Sequence, residues 1–316
     1  MRFLVKMKFH RGFSIASDNS LAGGRRPGLI HSDTLFSAIA NQWAKIRATV
    51  SLSDLILKMI ENAPPFILSS AFPYWAEKCY LPTPFGMSNV YRTIAKDIPY
   101  IALSDLLSLK KGQNESLKQY AYLDPTSALL HHWSSPRVTL DRISAASNIY
   151  KINGVSIISG GGLYFIVEII DKNILDSLIT CIKLLGNAGV GKNRAIGYGH
   201  FNASFEEIST HPQWSELFQK NFKGEDKALN LSLCCPHPDR AEAKEAYSYG
   251  LISRGGWILS SSTVRQYKRR ECIMFSEGSI FKSPIAGYFA NVTPSIFLDE
   301  HQVYRYGFAM MVAGRW

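Results

Sequence analysis

Apolar and polar residues alternate from the first positions of the chain. Phe3, Val5, Met7 and Phe9 are interleaved with Arg2, Leu4, Lys6 and Lys8, the period-two spacing of a strand with one buried face. Residues 17–31 then pass through Gly23, Gly24, Arg25, Arg26, Pro27 and Gly28, a loop too rich in glycine to pack on its own. Leu35, Phe36, Ile39, Trp43 and Ile46 fall on one face at helical spacing, so a helix is predicted over 34–47, with Ser32 or Asp33 capping its first turn. Residues 62–161 show no sustained period. They are rich in Pro, Ser and Tyr, include PYWAEKCYLPTPFG and the polar run KKGQNE at 110–115, and read as insertions.

Periodicity returns at GLYFIVEII, residues 162–170, a strand of β-branched and aromatic residues. A helix over about 172–185 follows, carrying Ile174, Leu175, Leu178, Ile179, Ile182 and Leu185, and Gly186 is read as its end. GNAGVGKNRAIGYGHF leads into a strand that continues to about Glu206. After a polar, lysine-bearing stretch at 207–227, LNLSLCC (229–235) and YRYGFAMMV (304–312) read as strands of a second sheet, with no helix predicted in that half.

The order β-α-(insertions)-β-α-loop-β places the first 205 residues in the α+β class, as a ferredoxin-like or RNA-recognition-motif sandwich with long loops. A chain of 316 residues exceeds the usual span of a single core. The expected division is a first domain at 1–207 with insertions at about 62–161, a connection at 208–228, and a second domain at 229–316.

Charge narrows the partner. Thirty-five Lys and Arg against 25 Asp and Glu leave +10, and clustered cations gain free energy by releasing counterions from phosphates. Cys79, Cys181, Cys234, Cys235 and Cys272 are odd in number and lack metal-ligand spacing, so neither a disulfide framework nor a zinc site is expected. No cofactor or metal is predicted. MRFLVKMKFH lacks the apolar stretch of a signal peptide and no run reaches the roughly 18 apolar residues of a membrane span, which predicts a cytoplasmic protein.

Three segments could carry chemistry. Residues 186–201 hold Gly186, Gly189, Gly191, Gly197 and Gly199 with Lys192, Asn193, Arg194 and Tyr198, and no acid. Glycine admits close backbone approach to phosphate, and the cations supply charge; the glycines follow a helix and lack G-x-x-x-x-G-K-[ST], so this is not a nucleotide-binding loop. RGGWILSSSTVRQYKRR holds Arg254, Arg265, Lys268, Arg269 and Arg270 with Trp257 and Tyr267, a mixture suited to backbone neutralisation and base stacking on single-stranded RNA. Arg137 and Arg142 in SSPRVTLDR are a weaker third signal. At His31-Ser32-Asp33-Thr34 a general acid or base and an assisting carboxylate are conceivable, but Ser, Asp and Thr are first of all helix-capping residues.

HSDTLFSAIANQW (31–43), GVGKNRAIGYGHF (189–201) and VYRYGFAMMV (303–312) together resemble the RAMP superfamily of CRISPR proteins, specifically the Csm-type subunit that caps the crRNA 5′ end in type III-A effector complexes. SPRVTLDR is similar to the start of that family's thumb-like hairpin. The resemblance implies two ferredoxin-like domains and binding of the repeat-derived, single-stranded 5′ handle of crRNA. It implies docking to the large polymerase-like subunit on one side and to the first repeating RAMP backbone subunit on the other, with target RNA reached only through the complex. It gives the protein no catalytic role and no membrane partner. Carried onto this sequence, it implies that Lys192, Asn193 and Arg194 hold handle phosphates or bases and that the region after Arg137 kinks the RNA next to the handle; the full set of expected RNA contacts adds Gly189, Gly191, Tyr198, His31, Ser32, Arg25, Arg26, Arg137, Arg142, Arg254, Arg265 and Lys268. Two other readings stay open. A metal-independent endoribonuclease that processes precursor crRNA would use a His where His31 lies, and an Asp near this position serves cleavage in backbone subunits, which keeps Asp33 a candidate. The third is a basic protein-interaction scaffold with incidental RNA contact.

Overall fold

The computed structural model describes residues 1–14, 19–22, 30–86, 98–113, 127–219, 226–258, 267–297 and 301–316. The first half contains strands β1 (Arg2–Phe9), β2 (Asn19–Ala22), β3 (Phe66–Leu68), β4 (Phe72–Trp75), β5 (Lys78–Pro82), β6 (Tyr100–Ala102), β7 (Leu130–Leu140), β8 (Ser147–Ile157), β9 (Gly161–Ile169) and β10 (Phe201–Glu207). Its helices are α1 (Ser32–Trp43), α2 (Leu52–Ile60), α3 (Leu103–Lys110) and α4 (Leu175–Ala188), and α5 (Pro212–Leu217) follows β10. The second half is built from β11 (Lys227–Asn230), β12 (Ala246–Ser248), β13 (Leu251–Arg254), β14 (Cys272–Phe275), β15 (Ile280–Phe281), β16 (Ala290–Asn291), β17 (Tyr304–Arg305) and β18 (Met311–Gly314).

The main sheet runs β10-β1-β9-β4-β5-β6, with β3 also on β9, and every pairing in it is antiparallel. β1 and β9 sit at its centre. β9 is buried at nearly every position, so its sequence is continuously apolar where β1 alternates. Helices α1 and α4 pack against each other. The second half forms a four-stranded sheet, β12-β15-β11-β18, and a three-stranded one, β14-β13-β2, in which β2 comes from the first half.

Several expectations need correction. Residues 66–82 are not an insertion: β3, β4 and β5 lie in the main sheet, and Phe66, Leu68, Phe72 and Leu81 are fully buried. Burial on both faces of short strands erases the period-two pattern that would have marked them. The second helix passes Gly186 and ends at Gly189, whose φ of +76° breaks it. Gly186 is needed inside that helix because a Cβ there would lie 2.3 Å from the Phe201 carbonyl oxygen of β10. The first helix begins at Ser32 and ends at Trp43, short of the predicted 34–47 at its far end.

One cluster of buried apolar side chains runs through both halves. Phe36 of α1 stacks on Tyr306 with ring centroids 4.8 Å apart and meets Phe289 edge-on at 5.5 Å; Leu229, Leu231, Phe308 and Val312 belong to the same cluster. The Tyr306 hydroxyl is in turn hydrogen-bonded to the backbone N–H of Leu68 at 2.8 Å. Even the polar stretch after β10 joins the core, through Trp214 edge-on to Tyr164 and buried Leu217.

Candidate nucleic-acid interface

β7 and β8 form a long hairpin paired in unbroken register from Leu130↔Ile157 to Leu140↔Ser147. Asp141 closes its tip by accepting the N–H groups of Ile143 at 2.8 Å and Ser144 at 3.3 Å, bonds that hold its carboxyl below the usual range. The root is tied to the chain after β1. Phe13 and Val155 exchange both backbone hydrogen bonds, 2.9 and 2.8 Å, and the Ser14 hydroxyl donates to the Asn153 carbonyl at 2.6 Å.

Directly paired residues share a hairpin face, and faces alternate along the strands. One face carries Trp133 opposite Gly154, then Ile152, then Arg137 opposite Tyr150. Trp133 lies flat across Gly154, where a Cβ would come within 2.2 Å of the indole, and its ring sits 4.8 Å from that of Tyr198 in the glycine-rich loop. This face therefore looks onto the loop. The opposite face carries Val138, Leu140 and Ile149, and with tip residue Ile143, 98% exposed, forms an apolar surface in solvent.

The glycine-rich loop follows α4 as expected, and part of its backbone is tied into the protein. Val190 N–H donates to Gly199 O at 2.9 Å, Lys192 N–H to Ser14 O at 2.6 Å and Gly199 N–H to Gly12 O at 2.8 Å, so these donors are engaged inside the protein rather than offered to phosphate. Gly199 has φ +79°, and a Cβ there would lie 2.0 Å from the Val190 carbonyl oxygen: the loop folds on itself too tightly for any side chain. Asn193, in the left-handed region at φ +61°, donates from its amide to the Ser14 hydroxyl at 3.2 Å. Tyr198 is buried, with the Arg11 guanidinium 5.5 Å from its ring centroid. What remains outward is Lys192 and Arg194, both exposed, on the loop that Tyr198 joins to Trp133, a residue on the same hairpin face as Arg137 and Tyr150.

The turn His31–Thr34 overturns the capping expectation and, for His31 and Ser32, the RNA-contact expectation. The residue preceding α1 is His31, which makes no side-chain cap; the Ser32 N–H is instead satisfied by the Ser70 hydroxyl at 2.9 Å. His31 is 3% exposed and its Nδ1 lies 2.8 Å from Oε1 of Glu277, which also accepts from Ser70. Ser32, fully buried, bonds the backbone of Leu233. Asp33 receives Arg254 Nε at 3.1 Å and Nη2 at 3.0 Å, and Arg305 Nη1 as well, while Arg254 also reaches Thr34. Burial alone would raise the Asp33 pKa, but Arg254 and Arg305, helped by His31, hold it well below the carboxylate range. Each of the four side chains thus fastens α1 to the second half.

Arg254 accordingly faces inward, against its expected RNA role. Lys268 is exposed, with Nζ 5.3 Å from the Trp257 ring centroid. Arg137 and Arg142 are exposed on the hairpin. Arg25, Arg26 and Arg265 lie outside the described residues. Sequence reasoning missed Trp133, Tyr150, Glu277 and Arg305; the aromatic alternation along 133–152 was a usable signal, whereas nothing local marks a partner 272 residues away.

Residues 223–313 match the family model described as the CRISPR Csm4 C-terminal domain, and curated Csm4 proteins align along most of the chain. Over that domain and along its length the chain is similar to Csm-type RAMP proteins. Among the Csm4 relatives, the protein of Thermococcus onnurineus is 25% identical over 286 residues, covering 87% of this chain and 88% of its own. That of Streptococcus thermophilus is 23% identical over 291 residues, covering 87% of each. A chain of a solved Csm3–Csm4 subcomplex from the type III-A CRISPR-Cas interference complex superposes with a TM-score of 0.66 at 20% identity over 99% of both chains. A chain of a Csm1–Csm4 cassette in complex with cA4 gives 0.59 at 20% identity, covering 99% and 98%. The same Csm-type fold thus accounts for the antiparallel sheets and helices of this chain. Among the described residues, no helix is long and apolar enough to cross a membrane and no cluster of side chains is arranged to hold a metal ion.

Proposed function

We propose that this protein is a non-catalytic RNA-binding subunit of a type III-A CRISPR effector complex that holds the crRNA 5′ handle and docks the large subunit to the RAMP backbone. The observation that carries the reading is the pair of exposed cations, Lys192 and Arg194, on a loop locked against the root of a hairpin whose facing side bears Arg137 and Tyr150. Cations for phosphates and an aromatic ring for unpaired bases suit a fixed single-stranded end. Base pairing of the guide reads the target, so protein need hold the guide only by backbone and shape.

Assembly is supported by the relatives, which have been solved with Csm3 and with Csm1; the corresponding partners here are a repeating backbone subunit and the large polymerase-like subunit, with target RNA met through the complex in the cytoplasm. The first half is read as ferredoxin-like, since β10-β1-β9-β3/β4 with α1 and α4 follows the β-α-β-β-α-β order. The second half departs from that pattern, with only single 3₁₀ turns among its described residues, so residues 229–316 are read as a reduced version of the same domain.

The processing-nuclease reading is disfavoured by His31, which is buried and engaged by Glu277, where a general acid or base must reach the scissile phosphodiester. The test is a binding titration of handle-bearing RNA at several salt concentrations. Lys192→Ala with Arg194→Ala should weaken binding and lower the salt slope by about 1.4, roughly 0.7 per lost single-strand phosphate contact. Unchanged affinity and slope would remove this loop from the interface.

A further inference from the structure

On the second half, the segment Arg254–Trp257 is held in place with unusual completeness. The Gly255 carbonyl accepts from Arg305 Nη2 at 2.8 Å, the Gly256 carbonyl from the Arg269 N–H at 2.9 Å and the Trp257 carbonyl from Arg269 Nε at 3.2 Å. Arg254 and Arg305 are themselves fixed by Asp33. Gly256 has φ +125°, a conformation that strains any other residue. Beyond the turn, Trp257 and Ile258 pair with Lys268 and Tyr267, the Ile258 N–H donating to Tyr267 O at 2.8 Å. Ile258 is buried with Val292 and Val303, and strand alternation then drives Trp257 outward, 54% exposed.

A half-exposed tryptophan held on a clamped turn presents a fixed π-face to a ligand, and its surroundings indicate which kind. Lys268 stands over the ring, Arg270 is exposed nearby, and Glu271, next to Arg270 in sequence, accepts from the Ser253 hydroxyl at 2.9 Å. A protein partner covering this indole would have to desolvate those cations. An unpaired nucleotide instead supplies a π-face for the ring and a phosphate for the charges. The turn and the glycine-rich loop are both paired to the segment that follows β1: Ser14 bridges Lys192, and Asn19 pairs with Ser253, four residues before Trp257.

We propose that Trp257, with Lys268, is a second station for the RNA strand that the glycine-rich loop contacts, stacking one unpaired base while Lys268 neutralises its phosphate; this rests on the RNA-binding reading above. The test uses the full chain and handle-bearing RNA, with a series of single abasic substitutions along the strand. Trp257→Ala should weaken binding about tenfold, as expected for loss of one stacked base, leave the salt slope unchanged, and keep the thermal midpoint of the parent. Trp257→Phe should recover most of the affinity. One abasic position should weaken the parent and cost Trp257→Ala nothing. The proposal is overturned if Trp257→Ala binds like the parent while the Lys192/Arg194 double variant does not, which would leave the wider reading intact. It is equally overturned if Trp257→Ala loses only association with the large subunit, which would make the site a protein contact. If the parent itself shows no preference for handle-bearing RNA, the functional reading and this one fall together.

Discussion

The turn at 31–34 and the loop at 189–199 both carry residues that could do chemistry, and the fold treats them in opposite ways. At the turn, His31, Ser32 and Asp33 are drawn inside and saturated by Glu277, Leu233, Arg254 and Arg305. At the loop, the backbone N–H groups of Val190, Lys192 and Gly199 are engaged within the protein, while Lys192 and Arg194 are left in solvent. A charged group satisfied within the fold stabilises or specifies structure; one left outward is available to a ligand. Residue type alone does not separate these cases. The destination of each polar atom does.

The sharpest way to break this contrast is at the turn. Asp33→Ala leaves Arg254 and the buried Arg305 without their shared carboxylate, which should destabilise the protein by about 3–5 kcal/mol in denaturant unfolding, the cost of breaking a buried charge pair from one side. An effect within about 0.5 kcal/mol would mean that the ion pairs contribute nothing to holding α1 on the second half. The same carboxylate sets a pH signature. Its folded-state pKa lies below the unfolded value of about 3.9, so its contribution is complete above that pH and is lost as pH falls through the folded value. Asp33→Ala should therefore lose less stability than the parent between neutral pH and strong acid, and parallel pH curves would contradict the pairing.

The smallest stability effect is expected at the hairpin's apolar face. Val138→Ser with Ile149→Ser, both already more than half exposed, should change unfolding free energy by less than about 0.5 kcal/mol. A larger loss would show that this face is packed within the isolated chain.

The sequence made the frame of this fold legible where one face alone is buried. β1 alternates, α1 and α4 carry clear apolar stripes, and the glycine-rich loop falls after the second helix. β3 to β5 were illegible because short strands buried on both sides, with Ser69 and Ser70 between β3 and β4 and Pro73 within β4, read like coil. The cationic loop was visible as composition, but the reason for its glycines was not: Gly199 answers to Val190 and Gly12 rather than to a phosphate. Asp33 was misread as a cap since its partners lie 221 and 272 residues downstream, beyond any local pattern.

The central claim, that the outward cations bind RNA while the inward turn only holds the fold, is tested most directly on one gel. End-labelled precursor and mature guide RNA would be mixed with the parent chain and with His31→Asn, with and without Mg²⁺, and both retention and cleavage followed. The account predicts that both proteins retain handle-bearing RNA and that neither cuts it. Specific cleavage by the parent that is lost in His31→Asn would contradict it and establish the chain as a processing nuclease.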